Sequence, residues 1–128
     1  EGTARGGAER ILVVEDDHHV RDMAVHFLRR RGYEVLVAEN GEDALELFGD
    51  SGGSVDLLLT DVVMPGMNGK ELYDLLLQYQ PDLKVIYMSG YAGEVLKTRG
   101  VMDEGINFIQ KPFSAQSLTS KIKQVLND

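Results

Sequence analysis

The sequence predicts an α/β fold in which one parallel sheet is covered by helices on both faces. Three observations carry that prediction. Short apolar runs recur along the chain, with Ile11-Leu12-Val13-Val14 and Val55-Asp56-Leu57-Leu58-Leu59-Thr60 the plainest. Between such runs the apolar residues switch to helical spacing, as at Val20, Met23, Ala24, Phe27 and Leu28. Short links with glycine, asparagine or proline separate the two patterns, the alternation expected of βα units around a sheet buried on both sides.

Residues 10–15 are the first predicted strand, running into Glu15-Asp16-Asp17, where Asp17 reads as a helix cap. The helix that follows stops at Gly32, and Arg29-Arg30-Arg31 complement the negative end of its dipole. Residues 33–38 form a second strand; Asn40 then caps a helix bearing Ala44, Leu45 and Phe48 on one side, and 49–54 is a turn. Residues 55–60 are the most apolar strand and therefore the expected centre of the sheet. After Asp61 comes the breaker-rich loop Val62-Val63-Met64-Pro65-Gly66-Met67-Asn68-Gly69, with both methionines expected to pack. The spacing predicts a helix over 70–80 with Leu72, Leu75, Leu76 and Tyr79 inward, stopped by Pro81-Asp82. A fourth strand over 83–88, a short weak helix over 91–99, an irregular 100–105 connection and a fifth strand over 106–110 follow. Leu118, Ile122, Val125 and Leu126 mark the closing helix, with Ser114 as its cap.

At 128 residues the chain suits a single domain, and its net charge of −8 disfavours direct contact with nucleic acid. It has no cysteine, hence no disulfide framework, and no apolar stretch of membrane-spanning length, so contact with a membrane is not expected. This composition fits a cytoplasmic setting. Residues 1–9, rich in glycine, read as a linker or expression remnant before a domain over 10–128, as if cut from a longer polypeptide.

Right-handed crossovers leave few topologies, and a flavodoxin-like (βα)5 three-layer sandwich of strand order 2-1-3-4-5 sets the first and third strands side by side. Functional groups in such folds gather at the carboxyl ends of the strands. That edge would collect Glu15, Asp16 and Asp61, with Ser89 after the fourth run and Lys111 after the fifth. Taken singly, these residues have plainer readings as caps or surface groups. Jointly they describe a pocket. Two carboxylates ~4 Å apart repel by about 4 kcal/mol at an effective dielectric near 20, so the cluster calls for a cation. Oxygen ligands of this kind suit Mg2+, and Asp61 is the candidate nucleophile. His18 and His19 are adjacent on a helix and point apart, which favours surface positions over metal ligation.

This set of residues resembles the receiver (response-regulator) domain of two-component signalling, and the resemblance covers the chain from Arg10 to Leu126. It implies that Asp61 accepts a phosphoryl group from phosphohistidine on a histidine kinase or a histidine phosphotransfer domain. It implies that Asp16, Glu15 and the backbone carbonyl of Val63 join Asp61 in holding Mg2+. Ser89 and Lys111 would contact the phosphoryl group, Ser89 and Phe108 would be the switch pair, and Pro112 would follow a cis peptide. Such a domain catalyses only its own phosphorylation and dephosphorylation, then changes the partner affinity of one face. Glu15 stands where an aspartate is more familiar. Val63 and Tyr91 flank the phosphorylation site, and a valine cannot orient water, so the expected aspartyl phosphate is long-lived. The Met88-Ser89-Gly90-Tyr91-Ala92 stretch resembles receivers of hybrid sensor histidine kinases, whose kinase domains would be intramolecular partners. A free-standing regulator and a phosphorylation-independent pseudo-receiver are the alternatives. An aspartyl phosphohydrolase would want a second aspartate on the same strand, and Asp61-Val62-Val63 lacks it.

Overall fold

The computed structural model describes residues 9–50, 52, 54–90 and 107–128. Its strands are β1 (Arg10–Val14), β2 (Glu34–Ala38), β3 (Leu57–Asp61), β4 (Lys84–Ser89) and β5 (Phe108–Gln110). Four helices are described: α1 (His18–Arg30), α2 (Gly41–Asp50), α3 (Gly69–Leu77) and α4 (Ala115–Leu126). The strands form one sheet in the order β2-β1-β3-β4-β5, every neighbouring pair parallel. The predicted helix over 91–99, the 100–105 connection, Tyr91, Ile106 and the first eight residues lie outside the described residues.

Strand periodicity divides the core. Along β1 and β3, Leu12, Val14 and Leu58 face a cluster that Ala44 and Phe48 of α2 and Leu72 and Leu76 of α3 complete. Ile11, Val13, Leu57 and Leu59 face the opposite cluster, closed by Ala24, Val25 and Leu28 of α1 and Leu118, Ile122 and Val125 of α4. Every residue of β3 is buried, as the expected central position requires.

The helix ends follow local chemistry. Asp17 caps α1 through its Oδ1, accepting from the backbone N–H of His19 at 2.9 Å and of Val20 at 3.3 Å. These bonds, Val20's first, hold its carboxyl below the ordinary range. Asn40 Oδ1 accepts from Asp43 N–H at 2.8 Å, and Ser114 closes a capping box with Ser117 on α4. Asn68 and Glu71 form a second such box on α3, a signal the breaker-rich loop concealed in the sequence.

One packing expectation fails. Tyr79, placed inward by the apolar spacing, is 72% exposed, and Leu75 is only half-buried. The helix ends at Leu77, and Gln78 and Tyr79 donate to Leu75 and Leu76, three residues back. That tighter winding rotates Tyr79 off the buried stripe.

Lys84 joins β4 to the end of α4. Its Nζ donates to the carbonyls of Val125 at 3.0 Å, Leu126 at 3.1 Å and, past the helix, Asp128 at 2.7 Å, tying the end of α4 to the sheet. Lys84→Met is expected to cost about 1–2 kcal/mol, lowering the urea midpoint with little change in the slope of the transition.

Candidate functional site

Each functional side chain stands at the carboxyl end of a strand because the parallel order brings those ends to one edge. Glu15 follows β1 with its backbone N–H bonded to Ala38 O at 3.1 Å, which carries the strand alignment one residue further. Asp61 closes β3, paired in register with Met88, and Val62 N–H donates to Met88 O at 3.0 Å. Ser89 closes β4, and its carbonyl accepts from Lys111 N–H at 2.7 Å. Main-chain hydrogen bonds therefore determine the spacing before any side chain acts. The Lys111–Pro112 peptide is cis, as the resemblance implied.

Glu15 and Asp61 are almost fully buried, at 1% and 5% exposure, whereas Asp16 is open to solvent. Their carboxylates and that of Asp16 each offer an oxygen, all within 4.8 Å of one another. Lys111 Nζ lies 2.8 Å from Asp61 Oδ1 and 3.1 Å from Glu15 Oε1. The other Glu15 oxygen accepts from Asp17 N–H at 3.1 Å. One ammonium faces two buried carboxylates, so negative charge is in excess. Burial first, then the neighbouring Glu15, pushes the Asp61 carboxyl up to about 8 against the opposing pull of Lys111. Burial works against the Lys111 charge, but Asp61 and then Glu15 outweigh it and raise its pKa. An oxygen-rich, electron-rich cluster of this size fits Mg2+. Ser89 Oγ is buried and has no hydrogen-bond partner among the described residues, leaving a hydroxyl donor for a ligand at the same edge.

The remaining predicted residues are exposed. Val63 is 51% exposed, two residues beyond Asp61, and Phe108 is 43% exposed on β5, in register with Tyr87. His18 and His19 are both exposed, as their adjacency suggested.

Two supporting residues escaped the sequence reading. Arg21, one turn into α1, donates from Nη1 to the Glu15 carbonyl at 3.0 Å and steadies the turn that carries the acidic pair. Gly69 opens α3 against the backbone of Asp61. A Cβ there would overlap the Asp61 carbonyl oxygen and stand 3.1 Å from Thr60 Cγ2. The Asn68-Gly69 pair did signal a turn, but the closeness of the helix to β3 exists only in three dimensions.

A raised carboxyl pKa has a definite sign for stability. The unfolded chain loses this proton near 3.8 and the folded chain near 8, so over that interval the folded state binds more protons and stability falls as pH rises. Without divalent metal, Asp61→Asn is expected to raise the thermal midpoint at pH 8 by about 3 °C or more. The gain should shrink at pH 5, where the folded parent is already protonated. Calorimetry at both pH values checks this.

Comparison with known proteins agrees with the site. The family model described as response regulator receiver domain matches residues 11–123. The sensor kinase CckA of Brucella abortus is 39% identical over 126 residues, which cover 98% of this chain and 13% of that kinase. A crystal structure of the receiver domain from hybrid histidine kinase CckA superimposes with a TM-score of 0.77 at 39% identity, over 91% of this chain and 98% of that one. The response regulator receiver protein CpdR of Brucella abortus is 36% identical over 92% of this chain and 97% of its own length. The chain spans only about half of several transcriptional regulators that it also matches. The response regulator TrrA of Thermotoga maritima, solved in complex with Mg2+-BeF, is 31% identical with a TM-score of 0.77, over 92% of this chain and 99% of that one. Fold, acidic edge and matched family agree: the chain belongs to the response regulator receiver domain family.

Proposed function

We propose that Asp61 is the phosphoacceptor of this receiver, taking its phosphoryl group from phosphohistidine on a histidine kinase or a histidine phosphotransfer domain. The observation that carries the reading is the position of Lys111 Nζ, 2.8 Å from Asp61 Oδ1 within an acidic cluster of one cation's size. A carboxylate oxygen of Asp61 attacks phosphorus, the P–N bond to the donor histidine breaks, and an acyl phosphate forms. Glu15, Asp16, Asp61 and the Val63 carbonyl would hold Mg2+, which when bound neutralises charge on the incoming phosphoryl oxygens. Lys111 pairs with the phosphoryl group in place of the bare carboxylates, and Ser89 turns its unpartnered hydroxyl toward it. Phe108, half-exposed on the edge strand, repacks by ring position alone because it has no hydroxyl.

The likeness to a hybrid histidine kinase's receiver supports a parent chain of that type, with residues 10–128 as its receiver, working in the cytoplasm beside kinase domains of the same polypeptide. A free-standing regulator is favoured by one observation, the nearly full-length match to CpdR.

Incubation with Mg2+ and acetyl phosphate is expected to add a single phosphoryl group by intact mass, absent from Asp61→Asn and absent without Mg2+. An adduct that persists in the mutant would move the acceptor elsewhere. Absence of both the adduct and Mg2+ binding would turn the reading to a pseudo-receiver. Gly69→Ala, which displaces the Asp61 backbone, is expected to slow uptake by about tenfold or more while the fold is retained, measured as the rate of adduct formation.

A further inference from the structure

We propose that the outer surface of α2 and α3 docks a basic peptide segment carrying an apolar anchor, at a site remote from the phosphorylation pocket and independent of it. A groove of about 590 Å3 lies between the end of α2 and the turn after α3, lined by Leu45, Phe48, Gly49, Gly52 and Tyr79. Tyr79 is the most exposed large apolar side chain among the described residues, at 72%. Its ring centre stands 6.4 Å from that of Phe48, which is buried in the core. An exposed aromatic wall on a rigid aromatic base is the kind of feature that anchors protein interfaces.

Charge identifies the occupant. Residues 40–83 contain nine carboxylates and a single lysine, so the protein's entire net charge of −8 resides there, while the remainder carries twelve charges of each sign. Eight of the nine are exposed, Asp61 being the exception. The lone lysine, Lys70, is taken up by Asp74 at 2.6 Å. Glu46 and Asp50 stand in the last turns of α2 beside Leu45 and Gly49, and Asp82 follows Tyr79. Such a field attracts and orients a Lys/Arg-rich segment and repels nucleic acid, anionic lipid and a second copy of the same face. An apolar residue of that segment would fill the groove.

Position explains the independence. Crossover helices run antiparallel to the strands of a parallel sheet, so the ends of α2 and α3 lie at the edge opposite the one bearing Asp61. A segment bound there leaves the phosphoryl site open to its donor.

The test titrates isotope-labelled protein with a short amphipathic Leu/Lys peptide and with its Leu/Glu counterpart, followed by amide chemical shifts. Shifts from the Leu/Lys peptide should centre on Leu45, Phe48, Gly49 and Tyr79. Tyr79→Ala should weaken binding by about tenfold. Glu46→Gln with Asp50→Asn should weaken it by about fivefold, whereas Asp22→Asn with Glu39→Gln, the same change of charge elsewhere, should stay within about twofold. The proposal is overturned by no shift at all, by shifts centred on another face, or by an equal response to the two charge changes. Equal binding of the Leu/Glu peptide, or self-association through Tyr79, overturns it as well.

Discussion

The ammonium of Lys111 is the group on which the functional edge depends. It faces two carboxylates that are almost wholly removed from water, and it bridges to Glu15 across 96 residues of sequence. Without it, two negative charges a few ångströms apart would be buried with nothing to balance them, a strongly unfavourable arrangement. With it, one negative charge is still in excess whenever both carboxyls are ionised, and burial beside Glu15 accordingly pushes the Asp61 carboxyl up to about 8. The cluster is thus complete enough to fold and has the charge and oxygen donors that fit a hard cation. Its position is no accident of side-chain reach, because the Lys111 backbone is itself bonded to Ser89, and Val62 to Met88.

The loop after β3 translates that edge into the rest of the domain. Gly69 brings α3 against the Asp61 backbone, and Met67 packs onto Gly41 so closely that a Cβ there would stand 2.8 Å from Met67 Sδ. Asp61 is therefore mechanically joined to the starts of α2 and α3 as well as to its own strand. Any displacement of Asp61 has packed neighbours to move, and packed neighbours respond in steps. The sheet meanwhile separates two kinds of work. Its carboxyl edge gathers the candidate site groups, while the segment 40–83 that carries α2 and α3 holds the net negative charge of the chain.

Much of this was legible beforehand. Five short apolar runs announced the strands, and the acidic ends of the first and third announced the pocket, because strand periodicity and strand-end chemistry are local properties. Asp17, Asn40 and Ser114 were readable as caps for the same reason. Tyr79 was misread since its spacing continued a stripe that the tighter turn after Leu77 abandons. Gly69 and Arg21 went unread because their importance lies in what they approach, the backbones of Asp61 and Glu15, and no spacing along the chain reports that approach.

By itself the sequence determined which groups exist and which strand each one ends: carboxylates after β1 and on β3, a hydroxyl on β4, an amine after β5. It also narrowed the order of the sheet to a few alternatives through apolar patterning and right-handed crossovers, and the strand pairing of the structure selected 2-1-3-4-5 among them. Only the tertiary structure decided that Glu15 and Asp61 are buried while Asp16 is exposed, that Lys111 contacts both buried carboxylates, and that Ser89 Oγ stays without a described partner. Residue type sets the charge a group can carry; desolvation and distance set the energy of carrying it. Both are properties of neighbours that the chain supplies from far away in sequence.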